Sequence, residues 1–228
     1  MLKQIFEDVP GLWEIPGTVK AAGFTLPCRA VIFETSPGHL WMWSPVRMDA
    51  ETIEAVKALG SVDVLVSPSL MHHLFMGAAQ EAFPDAVVWA PRRLKKKRPD
   101  LRIDEELRED AFEDLGIKAF AVKGAPLMDE WLFYHEPTKT GLVCDIVFNL
   151  GTEMDLFSAF VTTLTGTRGR LALSRLVKFA VKDRAAASVA VKAFLEMPFE
   201  NFVMAHGQPF QGADARPRVQ DVLKWFSN

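Results

Sequence analysis

The sequence predicts an α/β protein built on a layered sheet, and three observations predict it. Residues 1–45 read as strands punctuated by turn residues. Residues 49–90 run helix, strand, helix, strand. The rest returns to strands that end in polar turns, before a C-terminal amphipathic helix. Period-two alternation or a short apolar run marks a strand, and apolar residues three and four apart mark a helix, so their order gives the order of the layers. A length of 228 residues suits one large domain or two small ones. No internal repeat and no linker divides the chain, so a single domain over 1–228 is expected.

In order, Gly11-Leu-Trp-Glu-Ile15 alternates and should end at Pro16-Gly17, Cys28 to Glu34 is a second strand, and Leu40 to Trp43 a third. Ser36-Pro-Gly-His39 is a turn on composition, which makes these strands antiparallel hairpins and His39 an exposed turn residue. Asp49 reads as an N-cap for a helix using Ile53, Val56 and Leu59, with Gly60 at its end. Val62 to Val66 is a buried strand that breaks at Pro68 and hands over, through His72 and His73, to a helix over Leu74 to Phe83. Ala86 to Ala90 is the next strand. Residues 92–116 are polar, with helical character around Asp104 to Leu115. Ile117 to Val122 follows, then a hairpin of Trp131 to His135 and Gly141 to Leu150 about Glu136-Pro-Thr-Lys-Thr140. Residues 151–182 are apolar yet carry Arg168, Arg170 and Arg175, and read as helical pieces that cover a pocket or pack on a partner chain. Asp183 caps a helix through Leu195, Phe199 to Met204 is a strand running into Ala205-His206-Gly207, and Val219, Val222, Leu223 and Phe226 line the last helix.

The bulk numbers exclude several classes. The chain is 49% hydrophobic and 24% charged, ordinary for a globular protein. A net charge of −3 gives no reason to expect nucleic acid or an anionic membrane as partner. The basic run from Arg92 to Arg98 lacks the interleaved aromatics of a base-stacking surface and reads as a solvated loop. Cys28 and Cys144 lie in apolar contexts without CxxC spacing, so buried reduced thiols and a cytoplasmic location are expected. The N-terminus shows no secretory h-region, and no apolar run reaches membrane-spanning length. Ser67 and Ser69 lack the G-x-S-x-G context of a nucleophile elbow, and Gly166-Thr-Arg-Gly169 is no P-loop.

Two strand ends stand out beside the His-His turn. One is Asp145, a carboxylate inside the apolar strand Leu142 to Phe148; the other is His206, just past a strand and before a glycine. A buried Asp costs several kcal/mol unless paired, hydrogen-bonded or metal-bound. Imidazole and carboxylate together form a normal ligand set for Zn²⁺ or Fe²⁺. His72, His73, Asp145 and His206 are thus four candidate ligands, weighed against the alternative that they satisfy one another by hydrogen bonds. His135 and Ser69 are candidates for the pocket around them. Asp129-Glu130 reads as a solvated loop before Trp131, and Cys144 as core.

The His motif after the first helix–strand unit, the Asp at a later strand and the final Ala-His-Gly together resemble the metallo-β-lactamase superfamily. Within it, Pro68-Ser-Leu-Met-His-His-Leu-Phe75 resembles the DUF4336 branch, whose function is unknown. The resemblance runs from about Trp13 to the C-terminus. It implies an αββα sandwich of two mixed β-sheets flanked by helices, with 151–182 as a helical insertion or lid. Laid on the family loop Thr-His-x-His-x-Asp-His, this chain has Pro68 and Leu70 in place of two histidines, His72 in place of the Asp, and His73 in the closing position. Gly124-Ala125 stands where the family has Gly-His, while Asp145 and His206 match the bridging Asp and final His. The resemblance therefore implies one retained metal site of two, holding one divalent ion, Zn²⁺ or Fe²⁺, that activates water in a hydrolase acting on a small molecule. The alternative is a metal-free, catalytically inactive member that works as a binding or structural module. A homodimer through the apolar 151–182 segment is the one protein partner expected.

Overall fold

The computed structural model describes residues 1–21 and 23–227. Two compact units divide the chain, Met1–Thr18 with Cys28–Leu107, and Val19–Pro27 with Arg108–Asn228.

A seven-stranded sheet, all of it in the first unit except the end of β2 and the start of β3, runs in sequence order: β1 (Lys3–Gln4), β2 (Leu12–Ala21), β3 (Phe24–Ser36), β4 (His39–Trp43), β5 (Ser61–Val66), β6 (Val87–Ala90) and β7 (Glu105–Glu106). Strands β3 and β4 are antiparallel, and β4 to β7 are mutually parallel. Parallel neighbours need crossovers, and α1 (Ala50–Leu59), α2 (Met76–Ala82) and α3 (Leu94–Lys97) supply them. Asp49 caps α1 as expected, its carboxylate accepting from Thr52 N at 2.8 Å. Strands β3 to β5 bury Ile32, Phe33, Trp41, Met42, Trp43 and Leu65 completely.

Three expectations are corrected here. Strand β2 does not stop at Pro16-Gly17 but continues to Ala21. Beyond Glu14 the short β1 no longer pairs with it, so on that edge the missing N–H of Pro16 has no ladder bond to lose. Asp104 to Leu115 is not helical over its length. Asp104 exchanges bonds with Val88, its N donating to Val88 O and its carboxylate accepting from Val88 N, which draws Glu105 and Glu106 into β7. Only Glu113–Leu115 makes a helical turn, of the 3₁₀ kind. The basic run is not simply a solvated loop, since part of it forms α3.

The second unit holds a five-stranded mixed sheet ordered β14-β13-β10-β9-β8, from β8 (Ile117–Ala121), β9 (Trp131–His135), β10 (Thr140–Val143), β13 (Asn201–Met204) and β14 (Phe210–Gln211). A small ribbon pairs β11 (Phe148–Asn149) with β12 (Leu171–Ala172). The β9–β10 hairpin has the expected turn, and β10 runs parallel to β13. Helices α4 (Leu156–Thr165), α5 (Arg175–Ala180), α6 (Arg184–Leu195) and α7 (Ala215–Leu223) complete the unit. Asp183 caps α6 through Ala186 N, and α7 buries Val219 and Leu223. The core packs Phe194, Phe199 and Phe202 over Gly141, where a Cβ would lie 3.0 Å from the Phe194 ring. Strand β10 ends at Val143, so Asp145 lies in a loop and not inside the expected strand to Phe148. Cys144 is core as expected, and both cysteines are buried free thiols. Among the described residues no helix is long and apolar enough to cross a membrane.

Candidate metal centre

In the first unit the turn after β5 is built by its serines. Ser67 Oγ donates to Ser69 O and His72 O, and Ser69 Oγ accepts from Met71 N and His72 N. These bonds replace ladder and helix partners over a stretch that is neither, as short hydroxyl side chains do in turns. Ser69 therefore shapes the backbone that carries His72. The His72 ring lies near-parallel to Trp43, centroids 6.4 Å apart, and its Nδ1 meets Ser44 Oγ at 2.8 Å.

His73 is placed differently from its neighbour. It is buried, and its Nδ1 lies 2.8 Å from Arg98 Nη1. A guanidinium only donates, so Nδ1 accepts and the neutral ring carries its proton on Nε2. Neither nitrogen then presents a lone pair to a metal. Burial, followed by the charges of Lys97 and Arg98, pushes its pKa down to about 4, which keeps the ring neutral. Lys97 Nζ donates to Leu70 O at 2.6 Å. Two cations of the basic run thus hold the His turn, a role that a run of charge does not announce.

In the second unit the parallel register is decisive. Val143 lies opposite Met204, so the two positions that follow, Asp145 and His206, come side by side at neighbouring strand ends. Ala205 N donates to Val143 O and extends the pairing. His206 Nδ1 is 2.7 Å from Pro27 O, and a carbonyl only accepts, so Nδ1 carries the proton. Its Nε2 is 3.2 Å from Asp145 Oδ1, with the side chains 5% and 18% exposed. In the neutral ring this sets lone pair against lone pair, a contact that calls for a cation or an added proton. Phe148 stacks on the imidazole at 5.4 Å and 9°. Gly207 has φ +109°, and a Cβ there would strike the Asn149 backbone, which bonds His206 O and Gln208 N. Glycine after the histidine is thus required by close approach.

Glu130 is the residue that the sequence reading missed. It is 1% exposed, not solvated, and its carboxylate accepts from Cys144 N at 2.8 Å, Asp145 N at 3.1 Å and Ile146 N at 3.4 Å. Burial, and after it the Asp145 charge, pushes its pKa up, against the three N–H donors. It holds the loop that presents Asp145. His135, a pocket candidate for which an exterior or core role was the stronger expectation, is buried at the hairpin end, opposite Thr140, with Nδ1 2.7 Å from Thr138 Oγ1. Asp145 follows the other end of β10. The Gly124 turn contains no His, and Gly124 O accepts from Lys182 N and Asp183 N.

No protein-family model matches the chain, and no curated sequence does. Solved structures do. A metallo-β-lactamase from Pontibacter korlensis aligns at TM-score 0.65 and 14% identity over 98% of this chain and 99% of that one. One from Erythrobacter litoralis, with β-mercaptoethanol in the active site, gives 0.65 and 16% over 97% and 94%. The metallo-β-lactamase FIM-1 from Pseudomonas aeruginosa, in its mono-zinc form, gives 0.65 and 14% over 100% and 96%. At such identities the likeness shows the fold, a mixed α/β metallo-β-lactamase fold with two mixed sheets and helices, as the resemblance implies.

Proposed function

We propose that this protein is a metal-dependent hydrolase with one divalent ion, Zn²⁺ or Fe²⁺, anchored by Asp145 and His206. The observation that carries the reading is the contact of His206 Nε2 with Asp145 Oδ1, the ring's proton being committed to Pro27 O. A metal-binding imidazole typically donates its other N–H to a carbonyl or carboxylate, which fixes the tautomer. His72, held in the first unit by Ser44 and Trp43, is a candidate by residue type alone. His73 leaves the set that the sequence suggests, because its acceptor nitrogen is used by Arg98.

When bound, such an ion supplies Lewis acidity and a water acidified towards neutral pH. The chain's own residues do the rest. Pro27 O keeps His206 in one tautomer, Glu130 fixes the Asp145 loop, and Phe148 screens one face of the imidazole from water. Substrates of this chemistry are esters, lactones, thioesters or phosphodiesters. The competing reading is a protonated His206 paired with Asp145 in a metal-free module, and the same contact accommodates it.

Metal content separates the two. Purified protein reconstituted with Zn²⁺ or Fe²⁺ should hold about one ion per chain. His206→Ala and Asp145→Asn should lose it while remaining folded. No retained metal in the wild type leaves only the ion-pair reading. A hydrolysis screen over the four substrate classes, with the loaded protein, then finds the reaction.

A further inference from the structure

The net charge of −3 conceals a strong segregation of charge. From Leu156 to Lys182 the chain holds Arg168, Arg170, Arg175, Lys178 and Lys182 and no acidic residue. The flanking Asp155 and Asp183 are turned onto the N-termini of α4 and α6 as caps. The same stretch has the densest exposed apolar surface in the second unit. Leu156, Phe160 and Leu164 are spaced by four along α4, which puts them in one row, and they are 91%, 63% and 61% exposed. Phe157 joins them, and on α5 Leu176 and Phe179 are 60% and 75% exposed. Arg175 Nη1 donates to Leu164 O, tying the start of α5 to the end of α4. A cavity of about 450 Å³ lies at that end, lined by Thr152, Thr163, Gly166, Arg168 and Arg170.

Exposed Phe and Leu among five cations, with Glu153 beside the cavity residue Thr152 as the one acid nearby that caps no helix, is the composition of a surface that lies on a bilayer. The rings enter the acyl boundary while Lys and Arg meet anionic headgroups. A second copy fits poorly, because a two-fold contact through this face would set five cations against five. We infer that the α4–α5 face docks peripherally on an anionic lipid membrane, with the Arg168–Arg170 cavity receiving a headgroup. The sequence-based expectation of no membrane partner came from net charge, which averages over this separation. The inference is independent of the metal site.

Co-sedimentation of the full chain tests it, with vesicles of phosphatidylcholine alone and with about 30% phosphatidylglycerol added. Binding should appear only with the anionic lipid and weaken as salt is raised. It should fall at least about tenfold in Phe160→Glu/Phe179→Glu and in Arg168→Gln/Arg170→Gln, with melting temperatures unchanged. Equal binding to both vesicles, or binding indifferent to both double variants, overturns the inference. So does a vesicle-free wild type, whether it sediments as a monomer or as a dimer that the Phe substitutions dissociate.

Discussion

At the scale of single residues, the candidate site depends on groups that never touch a ligand. Glu130 is the clearest case, a buried carboxylate whose three backbone bonds fix the loop of Asp145. Glu130→Gln keeps one acceptor oxygen but sets an NH₂ against a backbone donor. It should lower metal affinity by about 10–100-fold, the usual effect of disturbing a ligand's support. Chelator competition on the loaded protein measures this, beside urea unfolding, which should show a loss of about 1–3 kcal/mol from an unsatisfied N–H. Unchanged affinity in a destabilised variant would reduce Glu130 to a purely structural role. Glu130 and Arg98 were not legible beforehand for one reason. Each stands in a polar stretch, and a charge pattern cannot tell a residue that faces water from one that folds back onto a neighbouring loop.

At the scale of elements, local rules carried far. Asp49 and Asp183 cap the helices expected of them, because the cap bond reaches only two or three residues along the chain. The β9–β10 turn and the strand before Ala205-His206-Gly207 were equally readable. The parallel pairing of β10 with β13 was not, since about sixty residues separate the two strands and nothing local records a register. That pairing, with Gly207 behind it, aligns Asp145 with His206. Gly207→Ala should therefore cost about 1–3 kcal/mol or more, from a strained backbone and a clash with the Asn149 backbone. Urea unfolding reads the loss, and metal release should follow it as His206 shifts. A neutral Gly207→Ala would mean that the turn relaxes freely and does not constrain the histidine.

For the whole molecule, pH offers a test of burial. Burial pushes the His135 pKa down to about 4, below the ordinary histidine value of about 6.5. The unfolded chain then binds a proton that the folded one refuses. Stability is fully present above about pH 6.5 and is lost as pH falls towards 4. Each such group adds a slope of up to about 1.4 kcal/mol per pH unit in that window. Denaturant titrations at a series of pH values should show the slope, and His135→Asn should flatten it whatever its effect at neutral pH. An identical slope in the variant would show that His135 titrates in the folded state.

The sequence by itself determined the alternation of strands and helices, the caps and turns, the four candidate ligands and the fold family that they resemble. The alternation, caps and turns follow from periodicities and short-range hydrogen bonds that the chain carries locally; the ligands follow from residue type at strand ends, and the family from the resemblance of those motifs. Only the tertiary structure decided how each candidate is held. It committed the Nδ1 proton of His206 to Pro27, used the acceptor nitrogen of His73 on Arg98, buried Glu130 under the Asp145 loop, and gathered the exposed Phe and Leu of 156–179 among cations. Each of those outcomes depends on partners distant in sequence, and a protonation state or an exposed face is defined only once those partners are in place.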